Sequence, residues 1–386
     1  MNKMTSLPSQ HVTRLTLTDF RNYASLRLDP GAGLIALAGA NGAGKTNLLE
    51  AISLLMPGRG LRGAEFPSLC RHGGKGGWAV SAIVDGPFGE TQLGTAWKES
   101  EEQGPNAARA VLVNGHLEKS SGALAGLLRS VWLTPALDRL FSGAASDRRR
   151  YLDRMVALFD VEHGARVNAF EKLMRERNAL LESGSLDRAW AASLETQMAE
   201  LGVAIAAARQ QALANLGAYL TPEKLSGPFP WSKLAVEGEL EALVASLPAL
   251  AAEDEYRKLL MDGRAVDRAA GRTLQGPHRS DLIVHHGPKD IPASEGSTGE
   301  QKALLIGLIL AQAQAIRAVT GAAPVLLLDE VSAHLDKARR QALFALLQSL
   351  QLQVWMTGTE AELFDGIGRG TVVYQVENGH LSESQK

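Results

Sequence analysis

Apolar and polar positions alternate at the start of the chain. In VTRLTLTDFRNY, Val12, Leu15 and Leu17 are separated by polar residues, and SLRLDP alternates again before the Pro30-Gly31 turn. A two-residue period predicts half-buried strands. The next apolar segment, Leu34 to Ala38, does not alternate and predicts a strand buried on both faces. Leu48, Leu49, Ile52, Leu55 and Met56 then recur at helical spacing, and Pro57-Gly58 ends that helix. From about Ser68 to Leu117 short strand-like segments alternate with Gly/Pro turns. From about Asp147 to Leu220 the pattern turns helical, and LETQMAELGVAIAAARQQALANL predicts one long helix. Its Leu and Ala stripes read as ordinary helix packing, because no heptad seam is sustained. TPEKLSGPFP (Thr221 to Pro230) interrupts the helices. From Leu274 onward come short strands, a glycine turn, a helix, the apolar strand PVLLL, a helix from about Lys337, and the final strands QVWMT and TVVYQVENGHL. The expected fold class is α/β at both ends with a helical insertion. Residues 1–145 and 271–386 are expected to form one lobe and 146–270 a second.

Composition narrows the class. With 386 residues and 45% hydrophobic content, the chain can bury one large core or two moderate ones. The apolar run from Ala303 to Leu310 falls well short of the roughly 20 residues needed to span a bilayer. The first ten residues lack the apolar core of a signal peptide. Cys70 has no second cysteine to pair with, so a buried thiol is expected. These readings point to a cytoplasmic protein without a membrane partner. The net charge of −2 does not announce a nucleic-acid binder, so any such contact must come from a local patch. Candidates are Arg59, Arg62, Arg71 and Lys75 in one Gly-rich stretch, and Arg148, Arg149 and Arg150 in DRRRYLDR. From composition alone a solvated face explains these charges better.

The chemistry is concentrated in three motifs. GANGAGKTN (Gly39, Ala40, Asn41, Gly42, Ala43, Gly44, Lys45, Thr46, Asn47) fits the phosphate-loop pattern and lies between an apolar strand and a helix start. Its glycines let backbone N–H groups curl around phosphate oxygens. Lys45 supplies a cation to the β- and γ-phosphates, and Thr46 offers a hydroxyl to Mg²⁺. In PVLLLDE, Asp329 and Glu330 emerge at the end of a buried strand. Asp329 is placed to hold Mg²⁺ and Glu330 to polarise an attacking water as general base. The third motif, EGSTGEQK (Glu295 to Lys302), precedes a helix. Ser297, the Gly299 amide and the helix N-terminus can form a second anion site. Alone this stretch reads as an N-cap, but it precedes Glu330 by about one helix and a turn. One γ-phosphate does not need two loops from one subunit. The economical reading is that this turn receives nucleotide held by the loop of another copy.

The loop, this turn, LLLDE and SAHLD (Ser332 to Asp336), in that order, resemble an ABC-type ATPase head. LTDFRNY, GRGLR, RRRYLD, LMRERNALL, QGPHRSDL and LLLDEVSAHLD extend the resemblance to the RecF family of recombinational repair proteins, over nearly the whole chain. The resemblance implies ATP and Mg²⁺ as cofactors, Asp336 as a further nucleotide contact, and an ATP-dependent homodimer that clamps DNA. It also implies slow, DNA-dependent hydrolysis and work at single-strand gaps or stalled forks with RecO and RecR. The sequence departs from the family pattern in places. Ser280 stands where relatives often carry an acidic residue. No histidine follows the last core strand, where Thr357 and Thr359 are available and Thr359 is the tentative switch residue. No clear Q-loop glutamine appears near VWLTPALD. Two rival functions are the ATP-binding subunit of a transporter, which should lack FRNY and GPHR, and a nucleotide-binding scaffold without turnover, against which Glu330 speaks.

Overall fold

The computed structural model describes residues 10–87, 89–99, 108–183, 187–225, 227–331, 335–368 and 370–384. The chain divides into two compact units: Met1–Leu137 with Gln312–Lys386, and Asp138–Ala311.

The first unit begins with β1 (His11–Phe20), β2 (Tyr23–Leu28) and β3 (Leu34–Ala38), followed by α1 (Lys45–Ser53). Then come β4 (Gly77–Asp85), β5 (Thr91–Lys98), β6 (Ala110–Val113), β7 (His116–Leu117) and β8 (Ser130–Leu133). The second unit contains α2 (Ala145–Val156), α3 (His163–Glu182), α4 (Arg188–Gly217), β9 (Ser232–Glu237), α5 (Glu239–Ser246), α6 (Ala249–Asp262) and α7 (Arg264–Ala270). It continues with β10 (Asp281–His286), β11 (Ile291–Pro292) and the start of α8 (Thr298–Thr320). The first unit is completed by β12 (Val325–Leu328), α9 (Lys337–Leu350), β13 (Val354–Gly358), β14 (Val372–Glu377) and β15 (His380–Glu383).

Two sheets build the first unit. One is antiparallel, in the order β2-β1-β4-β5-β6-β7; the other runs β15-β14-β3-β13-β12-β8. In the second sheet β8, β12, β13, β3 and β14 are parallel and only β15 is antiparallel. The sequence periods explain the difference. β4 alternates, burying Trp78, Val80, Ala82 and Val84, whereas every residue of β3 and β12 is buried. Leu15, Leu17 and Phe20 of β1 join Leu48 and Ile52 of α1 in one core with Ile35, Leu327 and Trp355 of the parallel sheet. Parallel strands present their C-terminal ends together, and ligand sites form beyond those ends. Here they carry Gly39, Asp329 and Gly358.

The second unit is helical with a small sheet, β11-β10-β9. Phe170, Met198, Val203, Ala206, Tyr256 and Leu260 form its main core. Gly202 is required in α4 because a Cβ there would meet the Tyr256 ring at 2.8 Å. Two buried ion clusters account for the motifs without evident nucleotide chemistry. Arg177, fully buried, donates to Glu195 (3.1 Å), Asp267 (2.7 Å), Thr273 (3.0 Å) and the Leu260 carbonyl (2.6 Å). Arg209 donates to both oxygens of Asp153 (2.9 Å each), to Glu241 (3.2 Å) and to the Pro277 carbonyl (2.7 Å). Ser280 donates its hydroxyl to Glu241 at 2.6 Å. Glu241 brings a carboxylate to this cluster from α5.

The unit boundaries differ from the expected ones. Residues 271–311 fall in the second unit because β10 pairs along its length with β9, a strand the sequence reading left unassigned after Pro230. α8 also corrects the reading of apolar runs. By length and composition it could cross a membrane, but most of it is buried inside the fold, as in a core helix.

Candidate functional site

Residues 39–44 leave β3 with Gly39, Gly42 and Gly44 at φ 153°, 83° and 114°. A Cβ at Gly39 would strike the Val376 carbonyl, and one at Gly44 the Asn22 side chain, so both glycines are sterically required. Lys45 opens α1 and is buried. It donates to the Gly39 carbonyl at 2.6 Å and the Ala40 carbonyl at 2.8 Å. An ammonium has three donors, so one N–H remains for a phosphate. Burial pushes the Lys45 ammonium below its usual range, against the pull of Glu330 and Asp329. Asn41 and Gly42 are exposed, which leaves the loop open to a ligand.

The acidic strand end meets this loop directly. Thr46 donates its hydroxyl to Asp329 Oδ1 at 2.8 Å, and Thr357 donates to the same oxygen at 2.8 Å. The Thr357 oxygen accepts the Glu330 backbone N–H at 2.9 Å. Glu330 sits at φ 53°, a left-handed conformation that a non-glycine residue adopts at a cost of about 1 kcal/mol or more. Its carboxylate makes no hydrogen bond among the described residues. It is free to accept a proton from water. Thr46 Oγ1 and Asp329 are adjacent hard oxygen donors, the type that Mg²⁺ takes.

FRNY, noted in the sequence without a role, braces the phosphate loop. Tyr23 donates its hydroxyl to the Gly44 carbonyl at 3.0 Å, and Asn22 donates to the Ala43 carbonyl at 2.9 Å. Asn47 donates to Asn22 Oδ1 at 2.8 Å. Arg21 grips both oxygens of fully buried Glu50 at 2.9 Å each, and Arg62 reaches Glu50 at 2.9 Å and Asn47 at 2.8 Å. The signal that would have assigned them is the buried acid in α1, which needs a cation. Thr357, not Thr359, is the threonine on Asp329: it is buried at the end of β13, whereas Thr359 is exposed beyond it.

In the second unit Ser297 precedes α8, and Ser297 and Gly299 are exposed. The Ser297 N–H and hydroxyl both donate to Glu300 Oε2, at 2.9 and 3.0 Å. Asp336 caps α9 by accepting the Arg339 N–H at 2.8 Å. Ser332 to His334 of SAHLD lie outside the described residues.

The basic candidates separate. Arg148 is not an exposed contact: it forms a two-pronged ion pair with Asp281 (2.8 and 2.6 Å). Arg149 donates to the Ser280 carbonyl at 2.8 Å, and Arg71 pairs with Asp19 at 2.8 Å. Arg59 is exposed, Arg150 is 80% exposed although paired with Asp147, and Arg62 is 40% exposed.

A phosphate loop on a buried parallel strand, an acidic pair at the end of the next strand but one and a helical insertion define an ATPase head of the ABC type. The RecF/RecN/SMC N-terminal domain model matches residues 11–382. The chain is 50% identical over 380 residues to the DNA replication and repair protein RecF of Mesorhizobium japonicum, covering 98% of this chain and all of that one. It is 50% identical to the RecF of Brucella suis, covering 96% of each. The chain belongs to the RecF family. Its fold resembles the solved recombination mediator protein RecF–ATP of the RecFOR pathway (TM-score 0.85, 23% identity, 100% of both chains). It also resembles an Smc head domain from Pyrococcus furiosus (TM-score 0.55, 15% identity, 97% of this chain and 96% of that one).

Proposed function

We propose that this chain is an ATP-gated DNA clamp. As a RecF-family protein it is an ATP-binding protein of DNA replication and repair. The observation that carries the finer reading is the Thr46–Asp329–Thr357–Glu330 cluster beside Lys45, half of a hydrolytic site, with Ser297 exposed at the head of α8.

In this reading two protomers form an isologous dimer around two nucleotides, each held by the phosphate loop of one and the signature turn of the other. Lys45 and the loop amides bind the phosphates. Thr46 and Asp329 would hold Mg²⁺, which when bound neutralises charge on the β- and γ-phosphates. Glu330 accepts a proton from the attacking water. Asp336 is a further nucleotide contact. Slow hydrolysis, stimulated by DNA, releases the clamp. Arg59, Arg62, Lys75 and Arg150, the exposed basic residues among the candidates, would meet DNA phosphates. Gapped DNA is the proposed substrate, RecO and RecR the proposed partners, and the cytoplasm the proposed location.

The test is Ser297→Arg, which puts a long cation where the partner's γ-phosphate belongs. The monomer should still bind nucleotide, while sedimentation should show no ATP-driven dimer and phosphate release should fail. A mutant that binds ATP poorly but still dimerises would refute the arrangement.

A further inference from the structure

The head of α8 carries more than a helix cap. In an ordinary capping box the acid three residues on accepts the N-cap amide. Here the Glu300 carboxylate receives three donors: the Ser297 N–H, the Ser297 hydroxyl, and the Lys289 ammonium on its other oxygen. Lys289 comes from a different element, the turn between β10 and β11. That turn is fixed by the Asp290 N–H on the His286 carbonyl (2.8 Å) and by the ion pair of Asp290 with Lys233 (2.6 Å). The lysine therefore reaches the head of α8 from a braced position. Its side chain is half exposed.

We propose that Lys289 is a positioning residue for the γ-phosphate that the signature turn receives from the partner protomer, and that the Glu300 carboxylate holds its place until then. The inference rests on the in-trans reading above. A phosphoryl group and a carboxylate both offer several acceptor oxygens, so the donors that converge on Glu300 suit either. The charges around the turn make the lysine necessary. Glu295 and Glu300 are both acidic and close in sequence to Ser297, and Lys302 is already paired with Asp138 at 3.3 Å. Without Lys289 an incoming phosphate would meet an acidic surface. Lys289 and the Ser297 donors hold the Glu300 carboxyl down at about 2, so it stays ionised and the exchange is anion for anion with no proton moved.

The experiment uses the full chain and follows dimerisation by sedimentation across an ATP series, with ADP binding to the monomer measured calorimetrically. Lys289→Met should raise the ATP concentration for half-dimerisation about tenfold, and Lys289→Arg should recover most of the loss. Glu300→Gln, which removes the competing anion, should lower that concentration. ADP binding by each monomer should match the unmodified protein. An unchanged or lower midpoint in Lys289→Met, while Ser297→Arg fails to dimerise, overturns the role of Lys289 and leaves the in-trans reading standing. A loss of ADP affinity in Lys289→Met also overturns it, because the effect then lies in the protomer's own loop. If Ser297→Arg dimerises normally, the in-trans reading fails and this inference with it.

Discussion

Thr357 is joined to both acids of the site through one oxygen: it donates to Asp329 Oδ1 at 2.8 Å and accepts the Glu330 N–H at 2.9 Å. The hydroxyl orients Asp329 toward Thr46 and holds Glu330 in its left-handed conformation. Thr357→Val keeps the volume but leaves the Glu330 amide without its acceptor and Asp329 Oδ1 with only the Thr46 donor. Stability should fall by about 1–3 kcal/mol. Phosphate release should fall about tenfold from misplacement of Glu330. Thr357→Ser should restore both, as read by thermal melts and steady-state hydrolysis.

Glu330→Gln separates binding from turnover. The amide keeps the size of the side chain but cannot take a proton from water. Hydrolysis should drop about a hundredfold or more. Asp329 and Thr46 are untouched, so ATP-bridged dimers should accumulate. They should leave DNA more slowly, with a steeper salt dependence than the monomer because more phosphates are neutralised. Normal hydrolysis would remove Glu330 from the mechanism; a trapped dimer without longer residence on DNA would remove the clamp.

Arg21→Met tests the brace behind the loop. Glu50 is fully buried and receives two of its charged hydrogen bonds from Arg21. Breaking one side of a buried pair costs about 3 kcal/mol or more, since the remaining charge is left poorly compensated. The denaturation midpoint should shift accordingly. ATP affinity should weaken too, because Asn22 and Tyr23 hold the Ala43 and Gly44 carbonyls from the same turn.

Asp153 gives the second unit an acid-sensitive joint. Burial pushes its carboxyl up, but His163 and Arg209 outweigh that effect and leave it below the usual carboxylate range. A folded-state pKa lower than the unfolded one stabilises the native state at pH values above the usual carboxylate range. That contribution is lost as pH falls through the folded-state pKa. Asp153→Asn should therefore lower the melting temperature at neutral pH and flatten its dependence on pH in the acid range. Melts from pH 7 down to pH 3 would check it.

Much of this was legible in the sequence, for identifiable reasons. β3 and β12 are uninterrupted apolar runs ending in Gly39 and Asp329, so both the strand type and the position of the chemistry followed from pattern. The helical insertion followed from the Ala- and Leu-rich stretch that became α3 and α4. What escaped was the pairing of groups far apart in the chain. FRNY could be noted but not explained, because its partners are loop carbonyls and Glu50. Arg148 looked like a surface charge until Asp281, far along the chain, came to meet it. The contact of Thr357 with Asp329 escaped as well, because position relative to β12 is set by sheet register, which no local pattern reports.

β3 lies between β13 and β14, pairing Leu34 with Val354 and Ile35 with Val372. The Gly-rich loop directly follows β3, but both neighbours of that strand are translated long after it. Until residues 354–377 leave the ribosome, β3 is a bare apolar strand with two open edges. Such a segment invites pairing with other chains. The nascent protein thus has no competent nucleotide cradle, and cannot begin to respond to ATP, until β13 and β14 have been made.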